Sequence, residues 1–386
     1  MVEGEVASVL LLFSDTGGGH RSAARALAGA LRQLAPQIRV AAIDPLLDQG
    51  PDAVRRICSL YPIIIQRWPN TWGAIYHVSN SLLAFALLQT AFGTQVREAL
   101  ARQLDVIDPD LLVSVHPLLN HVTGPLLERG RRRGLVTVVT DLIEIHRGWV
   151  FPRADLVVVP TEEARAASLR AGMRADRIRC LGFPVDSSFR PPVPGEAATI
   201  RRRLGLEAER PTVLVTGGGE GSGPLLDQVR ALACRPRPWQ VVAVCGRNQP
   251  LRERLGNLPV AVPTRVLGFV DDMADLLRAS DLVVTKAGPG VIAEALATGV
   301  PLVLTSYLPG QEKANVRFVT RSGAGVYIPR PDRLPQAIAD LLANPDRHHR
   351  MRARAIALSR PTAALEIARR CLAVALAYRA ASQANR

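Results

Sequence analysis

The feature that most constrains the fold is a pattern that occurs twice: a short apolar strand, three glycines and a helix. In the first half, an apolar run at residues 9–13 precedes the glycines and an amphipathic stretch that extends to residue 34. In the second half, the same order begins with a strand pattern at residues 212–216 and a glycine-rich loop at residues 217–223. Short apolar runs that alternate with helices are typical of parallel sheets covered on both faces. The repeat predicts an α/β protein with two Rossmann-like domains that face each other across a cleft.

A polar, proline-rich segment at residues 190–196 predicts where the first domain ends. The predicted domains are residues 1–190 and residues 191–360, and a chain of 386 residues is long enough to give each its own core. The last segment, residues 361–386, is alanine-rich and helical in pattern. We expect this C-terminal helix to pack back on the N-terminal domain.

The net charge of +14 suits nucleic acid, anionic lipid or phosphate-bearing ligands. Nearly all of the cations are arginine, and the only lysines are Lys286 and Lys313. Two short basic runs, residues 131–133 and residues 201–203, have no interleaved aromatic residues. Such runs favour a solvated face or a membrane-surface patch over a surface that reads bases. We therefore predict no nucleic-acid partner.

Several features predict a cytoplasmic protein that is soluble or peripherally attached to the inner face of the cell membrane. No segment reaches the roughly 18 to 20 uninterrupted apolar residues that a membrane span needs. The N-terminus carries Glu3 and Glu5 rather than a basic region, and the five cysteines form no CxxC pair. The most apolar helical stretch, residues 82–92, has two open interpretations: a core-facing helix, or a helix that dips into a bilayer surface.

In the first half, two groups of polar side chains follow predicted strands. The groups are Gly18, Gly19 and His20, and Asp141, His146 and Trp149. Glycines at a strand-to-helix turn let the backbone approach a ligand, and an imidazole there can take a proton from an attacking hydroxyl. A carboxylate, an imidazole and an indole together suit a sugar or glycerol hydroxyl beside an apolar chain. For both groups, a purely structural turn remains the alternative.

The segment Asp108-Pro109-Asp110 imitates a DxD metal motif. It stands before a predicted strand rather than after one, and proline favours a turn. We interpret it as a turn and predict that the protein has no metal site and needs no cofactor.

Four loops of the second half follow predicted strands and are therefore expected at one edge of the sheet. Their polar and glycine residues are Gly218, Gly219 and Glu220; Arg247 and Asn248; Lys286, Gly288, Pro289, Gly290 and Glu294; and Gln311 and Glu312. A guanidinium can grip a diphosphate, and a helix N-terminus favours an anion. An adjacent amide and carboxylate suit vicinal sugar hydroxyls. Four such loops at one edge indicate a nucleotide-sugar site.

In combination, these motifs resemble those of the monogalactosyldiacylglycerol synthases and the related bacterial diacylglycerol glucosyltransferases of glycosyltransferase family 28. The resemblance extends from about residue 9 to about residue 374. The motifs that carry it are Ser14-Asp15-Thr16-Gly17-Gly18-Gly19-His20-Arg21, Gly217-Gly218-Gly219-Glu220-Gly221, Cys245-Gly246-Arg247-Asn248, Lys286-Ala287-Gly288-Pro289-Gly290-Val291-Ile292-Ala293-Glu294-Ala295-Leu296 and Pro309-Gly310-Gln311-Glu312-Lys313.

The resemblance implies a GT-B fold and an inverting, metal-independent hexosyl transfer from UDP-galactose or UDP-glucose. The acceptor would be the sn-3 hydroxyl of diacylglycerol, and the product a β-glycosyldiacylglycerol made at an anionic membrane lipid surface. The N-terminal domain would bind the lipid and the C-terminal domain the nucleotide sugar. The sequence does not decide between galactose and glucose.

The resemblance also assigns roles to individual residues. His20, the expected base, and Asp141 are the predicted catalytic residues. The predicted acceptor-binding residues are Gly18, Gly19, His146 and Trp149. The predicted donor-binding residues are Gly218, Gly219, Glu220, Arg247, Asn248, Lys286, Gly288, Pro289, Gly290, Glu294, Gln311 and Glu312, together with Phe269, whose backbone would meet the uracil.

Three alternatives remain open. One is a transferase that adds N-acetylglucosamine to a polyprenyl-linked peptidoglycan precursor and shares the glycine-His turn and the fold. Another is a UDP-sugar 2-epimerase of similar fold, which needs no lipid acceptor. The last is a non-catalytic UDP-sugar sensor, against which the presence of both His20 and the Gln311–Glu312 pair argues, because a sensor needs no base.

Overall fold

The computed structural model describes residues 7–15, 18–48, 50–130 and 132–384. Glu3, Glu5, Thr16, Gly17 and Arg131, which entered the sequence analysis, lie outside the described residues. The described chain divides into two compact units. Unit 1 is formed by the chain up to Ile64, by Asn70–Ser187 and by the chain from Thr362, and unit 2 by Ile65–Pro69 and Ser188–Pro361.

The elements before residue 188 and the C-terminal helix alternate as the sequence pattern predicts. In chain order they are β1 (Ser8–Leu12), α1 (Gly19–Leu34), β2 (Arg39–Ile43), α2 (Asp52–Arg67), α3 (Pro69–Ser79), α4 (Leu82–Ile107), β3 (Leu111–Ser114), α5 (Leu119–Thr123), β4 (Gly134–Val138), β5 (Leu156–Val159), α6 (Glu162–Arg170) and β6 (Ile178–Cys180), with α15 (Ala363–Ala384) at the C-terminus.

Unit 2 repeats the alternation. Its elements are α7 (Glu196–Arg203), β7 (Thr212–Thr216), α8 (Leu225–Ala233), β8 (Gln240–Val244), α9 (Gln249–Gly256), β9 (Thr264–Leu267), α10 (Met273–Arg278), β10 (Leu282–Lys286), α11 (Pro289–Thr298), β11 (Leu302–Ser306), α12 (Lys313–Arg321), β12 (Gly325–Tyr327), α13 (Leu334–Leu342) and α14 (Pro345–Leu358).

Each unit contains one six-stranded parallel sheet. The strand order is β2-β1-β3-β4-β5-β6 in unit 1 and β12-β11-β10-β7-β8-β9 in unit 2. Every residue of β1, β3, β4, β7 and β8 is buried, as a sheet covered on both faces requires. The two Rossmann-like α/β domains predicted from the repeat are thus confirmed.

The C-terminal helix α15 belongs to unit 1, where it packs beside α1 on one face of the sheet. Ile367 and Cys371 are buried in that layer. Tyr378 donates a hydrogen bond to Asp155 (3.0 Å between the oxygens). The helix lies so close to β4 that a Cβ atom at Gly134 would come within 2.8 Å of Val374. The predicted return of the C-terminal helix to the N-terminal domain is confirmed.

The segment 108–110 is a structural turn, as predicted. Asp108 ends α4 with a left-handed backbone (φ 41°). Asp110 is fully buried, and its carboxylate accepts a hydrogen bond from the Ser8 N–H (2.7 Å). Its carboxylate therefore ties β1 to the start of β3.

Helices α2, α3 and α4 expose an unusual amount of apolar surface. Nine large apolar residues between positions 57 and 87 are at least 43% exposed: Ile57, Leu60, Ile63, Trp68, Ile75, Val78, Leu82, Leu83 and Leu87. Phe85 is instead buried against the His121 ring (4.9 Å between centroids). The apolar stretch at residues 82–92 thus has both a core-facing side and an exposed one. None of the described helices combines the length and apolarity required to span a bilayer.

We expect truncation of Ile367 to destabilise unit 1. Ile367→Ala removes buried methyl groups between α15 and the sheet, so the free energy of unfolding should fall by about 2–5 kcal/mol. Leu376→Ala, on the same helix but 51% exposed, should change it by less than about 0.5 kcal/mol. Urea denaturation measures both, and equal losses would contradict the packing of α15 described above.

Candidate functional site

The first polar group lies where β1 leads into α1. Gly18 precedes the helix in a left-handed conformation (φ 80°), which favours glycine, and a Cβ atom at Gly19 would meet only open space. His20 is the second residue of the helix. Its Nδ1 lies 2.7 Å from the Val115 carbonyl oxygen and 3.0 Å from the Thr140 hydroxyl. The Val115 carbonyl can only accept, so Nδ1 carries the proton and Nε2 is the nitrogen that can take one up.

Burial controls the charge of His20. It lowers the pKa of the imidazole to about 4, although the hydrogen bond to Val115 acts in the opposite direction. His20 is therefore neutral at physiological pH. A neutral imidazole with Nδ1–H fixed by a carbonyl is the form that a general base requires.

His116, which the sequence analysis did not select, packs against His20. It follows β3 and is buried, and its ring meets the His20 ring edge-to-face with 4.6 Å between centroids. Its own pKa lies well below 6.5, first because of burial and then because of the nearby His20 and His146. The signal available in the sequence was its place directly after a predicted strand.

The group after β4 is largely buried in unit 1. Trp149 was predicted to bind the acceptor, but its side chain is fully buried in the core of unit 1. Its indole N–H donates to the Asp141 carboxylate (2.8 Å), which also accepts from the His146 backbone N–H (3.2 Å). Asp141 and Trp149 therefore fix this loop beneath His20, whose ring centroid is 6.3 Å from that of Trp149.

His146 is likewise committed to local structure. Its Nδ1 accepts a hydrogen bond from Gly148 N–H (3.0 Å), and its Nε2 lies 3.2 Å from the Ser79 hydroxyl. The ring packs edge-to-face on Tyr76 with 5.0 Å between centroids. Burial lowers the pKa of His146 to about 4, assisted by Arg147. Both ring nitrogens of His146, which was predicted to bind the acceptor, therefore already have hydrogen-bond partners in unit 1.

In unit 2, two glycine loops pack backbone against backbone. A Cβ atom at Gly221 would approach the Cys245 carbonyl to 2.0 Å, and one at Gly246 would approach the Gly219 carbonyl to 2.3 Å. Both glycines also have positive φ angles, 57° and 56°. Arg247 N–H donates to the Gly219 carbonyl (2.8 Å). The loops after β7 and β8 therefore form one rigid wall, which only glycine permits at these positions.

Arg247 is part of this wall and carries its guanidinium group. Its Nη1 pairs with the buried Glu220 carboxylate (2.7 Å), and its central carbon lies 4.7 Å from the centre of the Phe269 ring. Phe269 is 48% exposed. Asn248, predicted to contact the donor, caps α9: its side-chain oxygen accepts from Leu251 N–H (3.1 Å), and its amide donates to the Gly221 carbonyl (3.3 Å).

The loop after β10 opens α11 without a side-chain cap. Gly288 is the N-cap residue, forms no capping hydrogen bond, and is followed by Pro289 at the first helical position. The N–H groups of the first turn have no intrahelical acceptor, so they form an anion site together with the positive end of the helix dipole. The Lys286 ammonium lies beside this turn, 2.9 Å from where a Gly288 Cβ atom would stand.

Glu294 lies in the same helix, and burial raises the pKa of its carboxyl to about 8. A carboxyl group kept partly protonated near neutral pH can both donate and accept a hydrogen bond. This property suits a pair of neutral hydroxyl groups better than it suits a cation.

The predicted hexose residues follow β11. Glu312 is only 2% exposed, and both of its oxygens are engaged, one with Lys286 Nζ (2.5 Å) and one with Leu308 N–H (2.8 Å). Gln311 is half-buried, and its side-chain oxygen has no hydrogen-bond partner within the described part of the chain. The structure thus brings the amide and the carboxylate together, with the carboxylate held in a buried ion pair. Across the described ranges, no group of three or more His, Cys, Asp or Glu side chains is placed to hold a metal ion.

Comparison with known proteins covers nearly the whole chain. Residues 20–185 match the family model of monogalactosyldiacylglycerol (MGDG) synthase, and residues 212–367 match that of the glycosyltransferase family 28 C-terminal domain. The chain is similar to a probable chloroplastic monogalactosyldiacylglycerol synthase of Nicotiana tabacum. The two are 34% identical over 374 residues, which cover 93% of this chain and 69% of that protein.

Solved structures share the fold at low sequence identity. MurG of Acinetobacter baumannii superposes with a TM-score of 0.59 and 16% identity, covering 95% of this chain and 99% of that one. The calicheamicin glycosyltransferase CalG4 gives a TM-score of 0.59 and 16% identity, covering 95% and 98% of the two chains. These likenesses confirm the GT-B fold.

The buried histidines predict acid sensitivity. In the unfolded chain a histidine titrates near 6.5, whereas His20 and His146 titrate near 4 in the folded protein. The unfolded state therefore binds more protons in this window, so stability is complete above pH 6.5 and is lost as the pH falls towards 4. The loss amounts to about 3 kcal/mol for each of these two histidines.

Urea unfolding at pH 7.5, 6 and 5 measures this loss. His146→Asn keeps an acceptor for Gly148 N–H and should make the loss with falling pH shallower. His349→Asn, at an exposed position, is the control and should leave the slope unchanged. A wild-type stability that is constant from pH 7.5 to 5 would contradict the assignment of buried, neutral histidines.

Proposed function

The chain belongs to the monogalactosyldiacylglycerol synthase family, and we propose that it transfers galactose or glucose from a UDP-sugar to the sn-3 hydroxyl of diacylglycerol. The observation that carries the proposal is the uncapped start of α11. Lys286 lies beside this anion site. Glu294 follows in the same helix, and burial raises the pKa of its carboxyl to about 8, so the group is partly protonated near neutral pH. A site that pairs anion recognition with hydroxyl recognition suits a nucleoside diphosphate.

In the proposed donor complex, the diphosphate binds the first turn of α11, from Gly288 to Gly290. Glu294 binds the ribose hydroxyls, and the backbone near Phe269 meets the uracil. Gln311 and Glu312 bind the hexose hydroxyls, for which the unpartnered Gln311 oxygen is available. Negative charge on the departing UDP is stabilised by the helix N-terminus, Lys286 and Arg247. These groups are fixed before reaction, which makes a metal ion unnecessary in this mechanism.

In the proposed transfer, His20 is the general base. The glycerol oxygen attacks the anomeric carbon from the face opposite UDP, the bond from that carbon to the diphosphate breaks, and the configuration inverts. The hydroxyl proton passes to His20 Nε2. With a pKa of about 4, His20 is a weak base, so proton transfer accompanies formation of the new bond, which makes the hydroxyl acidic. The resulting imidazolium keeps its Nδ1–H bond to Val115.

The residues around His20 support the base. Gly19 leaves open space for an acceptor. Asp141 acts indirectly, because it holds the indole of Trp149 beneath the His20 ring. His146 also fixes the loop, because its Nδ1 accepts a hydrogen bond from Gly148 N–H.

We further propose that the exposed apolar surface of α2–α4 attaches the enzyme peripherally to the cytoplasmic face of a membrane, where diacylglycerol resides. Residues 53–97 contain no aspartate or glutamate but include Arg55, Arg56 and Arg67, all exposed. Arg55 is paired with Asp52, and apolar side chains beside Arg56 and Arg67 suit an anionic bilayer surface.

The function is tested with diacylglycerol vesicles, chelator, and UDP-galactose or UDP-glucose supplied separately. We expect a glycolipid from at least one donor. Absence of lipid product despite UDP-sugar binding would overturn the proposal in favour of a polyprenyl-linked acceptor or a sensor. Conversion of the UDP-sugar to its epimer without acceptor would indicate an epimerase instead.

The role of His20 has its own test. His20→Ala should lower kcat by about 10²–10⁴-fold, because the general base is removed, while the Kd for UDP stays within about twofold of wild type. Full turnover by the variant would remove His20 from the mechanism.

Membrane attachment is tested by vesicle sedimentation. Replacing both Leu82 and Leu83 with Gln should reduce binding to vesicles that contain anionic lipid by about tenfold or more. Val106→Gln lies in the same helix at a position 82% exposed but outside the apolar cluster, and it should bind like wild type. Equal binding by all three proteins would exclude this surface.

A further inference from the structure

Lys286 and Glu312 form a buried ion pair at the proposed donor site. Their side chains are only 16% and 2% exposed, and Nζ lies 2.5 Å from the Glu312 Oε1 atom. Removing both charges from water is costly, and well-packed apolar residues often serve stability as well as such a pair does. Stability alone therefore does not explain why this ion pair is present.

One end of the pair lies at the proposed diphosphate subsite. Lys286 is the last residue of β10, where the register with β11 shifts. Any side chain at Gly288 would strike the ammonium, whose Nζ lies 2.9 Å from the ideal Cβ position. The ammonium is thus held against the uncapped N-terminus of α11. Only one of its three N–H donors is needed for Glu312, which leaves donors for phosphate oxygens.

The other end lies at the proposed hexose subsite. Glu312 is adjacent to Gln311 and starts α12, and its second oxygen accepts from Leu308 N–H (2.8 Å). Each carboxylate oxygen can accept more than one hydrogen bond, so Glu312 can still accept hydrogen bonds from a ligand while it is paired with Lys286. A single ion pair therefore joins the two subsites.

We propose that Lys286 is a positioning residue that couples diphosphate binding to hexose recognition. Its ammonium pairs with Glu312 and orients it for the sugar hydroxyls, while its remaining donors bind the diphosphate. This inference rests on the proposed function, because it takes UDP-hexose as the ligand. Its consequence is that the hexose contributes to affinity only when Lys286 is present.

Electrostatics provides a specific signature. Without Lys286, the buried Glu312 carboxylate would keep only the Leu308 N–H as a hydrogen-bond partner and would be a buried charge without a counter-ion. The charged groups on the surrounding elements are Glu294 on α11 and Lys313, Arg317 and Arg321 on α12; β10 and β11 carry none besides Lys286. Glu294 is proposed to bind ribose, which UDP and UDP-hexose share, so its effect cancels when the two affinities are compared.

The measured quantity is the hexose increment, the ratio of the Kd for UDP to the Kd for UDP-galactose or UDP-glucose, by titration calorimetry. We expect a wild-type increment above one. Lys286→Met should weaken UDP binding by about tenfold or more. It should also abolish the increment, because Glu312 loses the ammonium that orients it.

Matched variants test whether the change in the hexose increment is specific to Lys286 and Glu312. Lys313→Met replaces the only other lysine, which is exposed and next to Glu312, and should keep the wild-type increment. Glu312→Gln should lose the increment, and Lys286→Met added to Glu312→Gln should cause no further loss. This double variant also removes the uncompensated buried charge, so it tests the coupling even if Lys286→Met alone does not fold.

The outcomes separate the two claims. A wild-type increment that Lys286→Met preserves, or losses that simply add in the double variant, would overturn the coupling while leaving the proposed function intact. A wild-type protein that binds neither UDP-hexose would overturn the proposed function itself and the inference with it.

Discussion

The burial of two parallel sheets on both faces is the constraint on which the rest of this molecule depends. Strands such as β1 and β7 expose nothing along their length, so polar chemistry is confined to the loops where they end. In a parallel sheet those ends meet at one edge. His20 follows β1, while Arg247 and Lys286 lie at the ends of β8 and β10. Within each unit, loops that are distant in the chain are thereby brought to one edge of that unit's sheet without any long-range sequence signal.

Burial at the carboxyl edge of each sheet also sets the charge state of the polar groups there. His20 is kept neutral and Glu294 is biased towards its protonated form, because an isolated charge would lose its hydration there. Glu312 and Glu220 are more deeply buried, and each has a cationic partner instead. The neutral His20 and the largely protonated Glu294 lie at two of the proposed hydroxyl contacts, the paired carboxylate of Glu312 lies at a third, and cationic groups lie where the proposed diphosphate would bind. The same desolvation that costs stability thus defines what each subsite can bind.

The sequence predicted the fold well because strand burial and glycine turns are local signals; β7, for example, spans the predicted residues. It did not predict β6 and β12, which have three residues each and give no clear alternation. It placed the predicted site residues after strands that the structure contains, but it could not tell which of their side chains are used in local packing. Trp149 and Asn248 carry suitable chemistry, yet tertiary packing uses both for structure. The contact of His116 with His20 depends on the position of β3 beside β1, which no local pattern encodes.

The linkage in the product tests the central claim most directly. Purified enzyme, diacylglycerol and the preferred UDP-hexose should yield one lipid whose proton NMR spectrum shows a β-linked hexose on the sn-3 oxygen of glycerol. This result would follow from a single in-line displacement with His20 as base. An α-linked product, or a hexose attached to any acceptor other than that hydroxyl, would contradict the account.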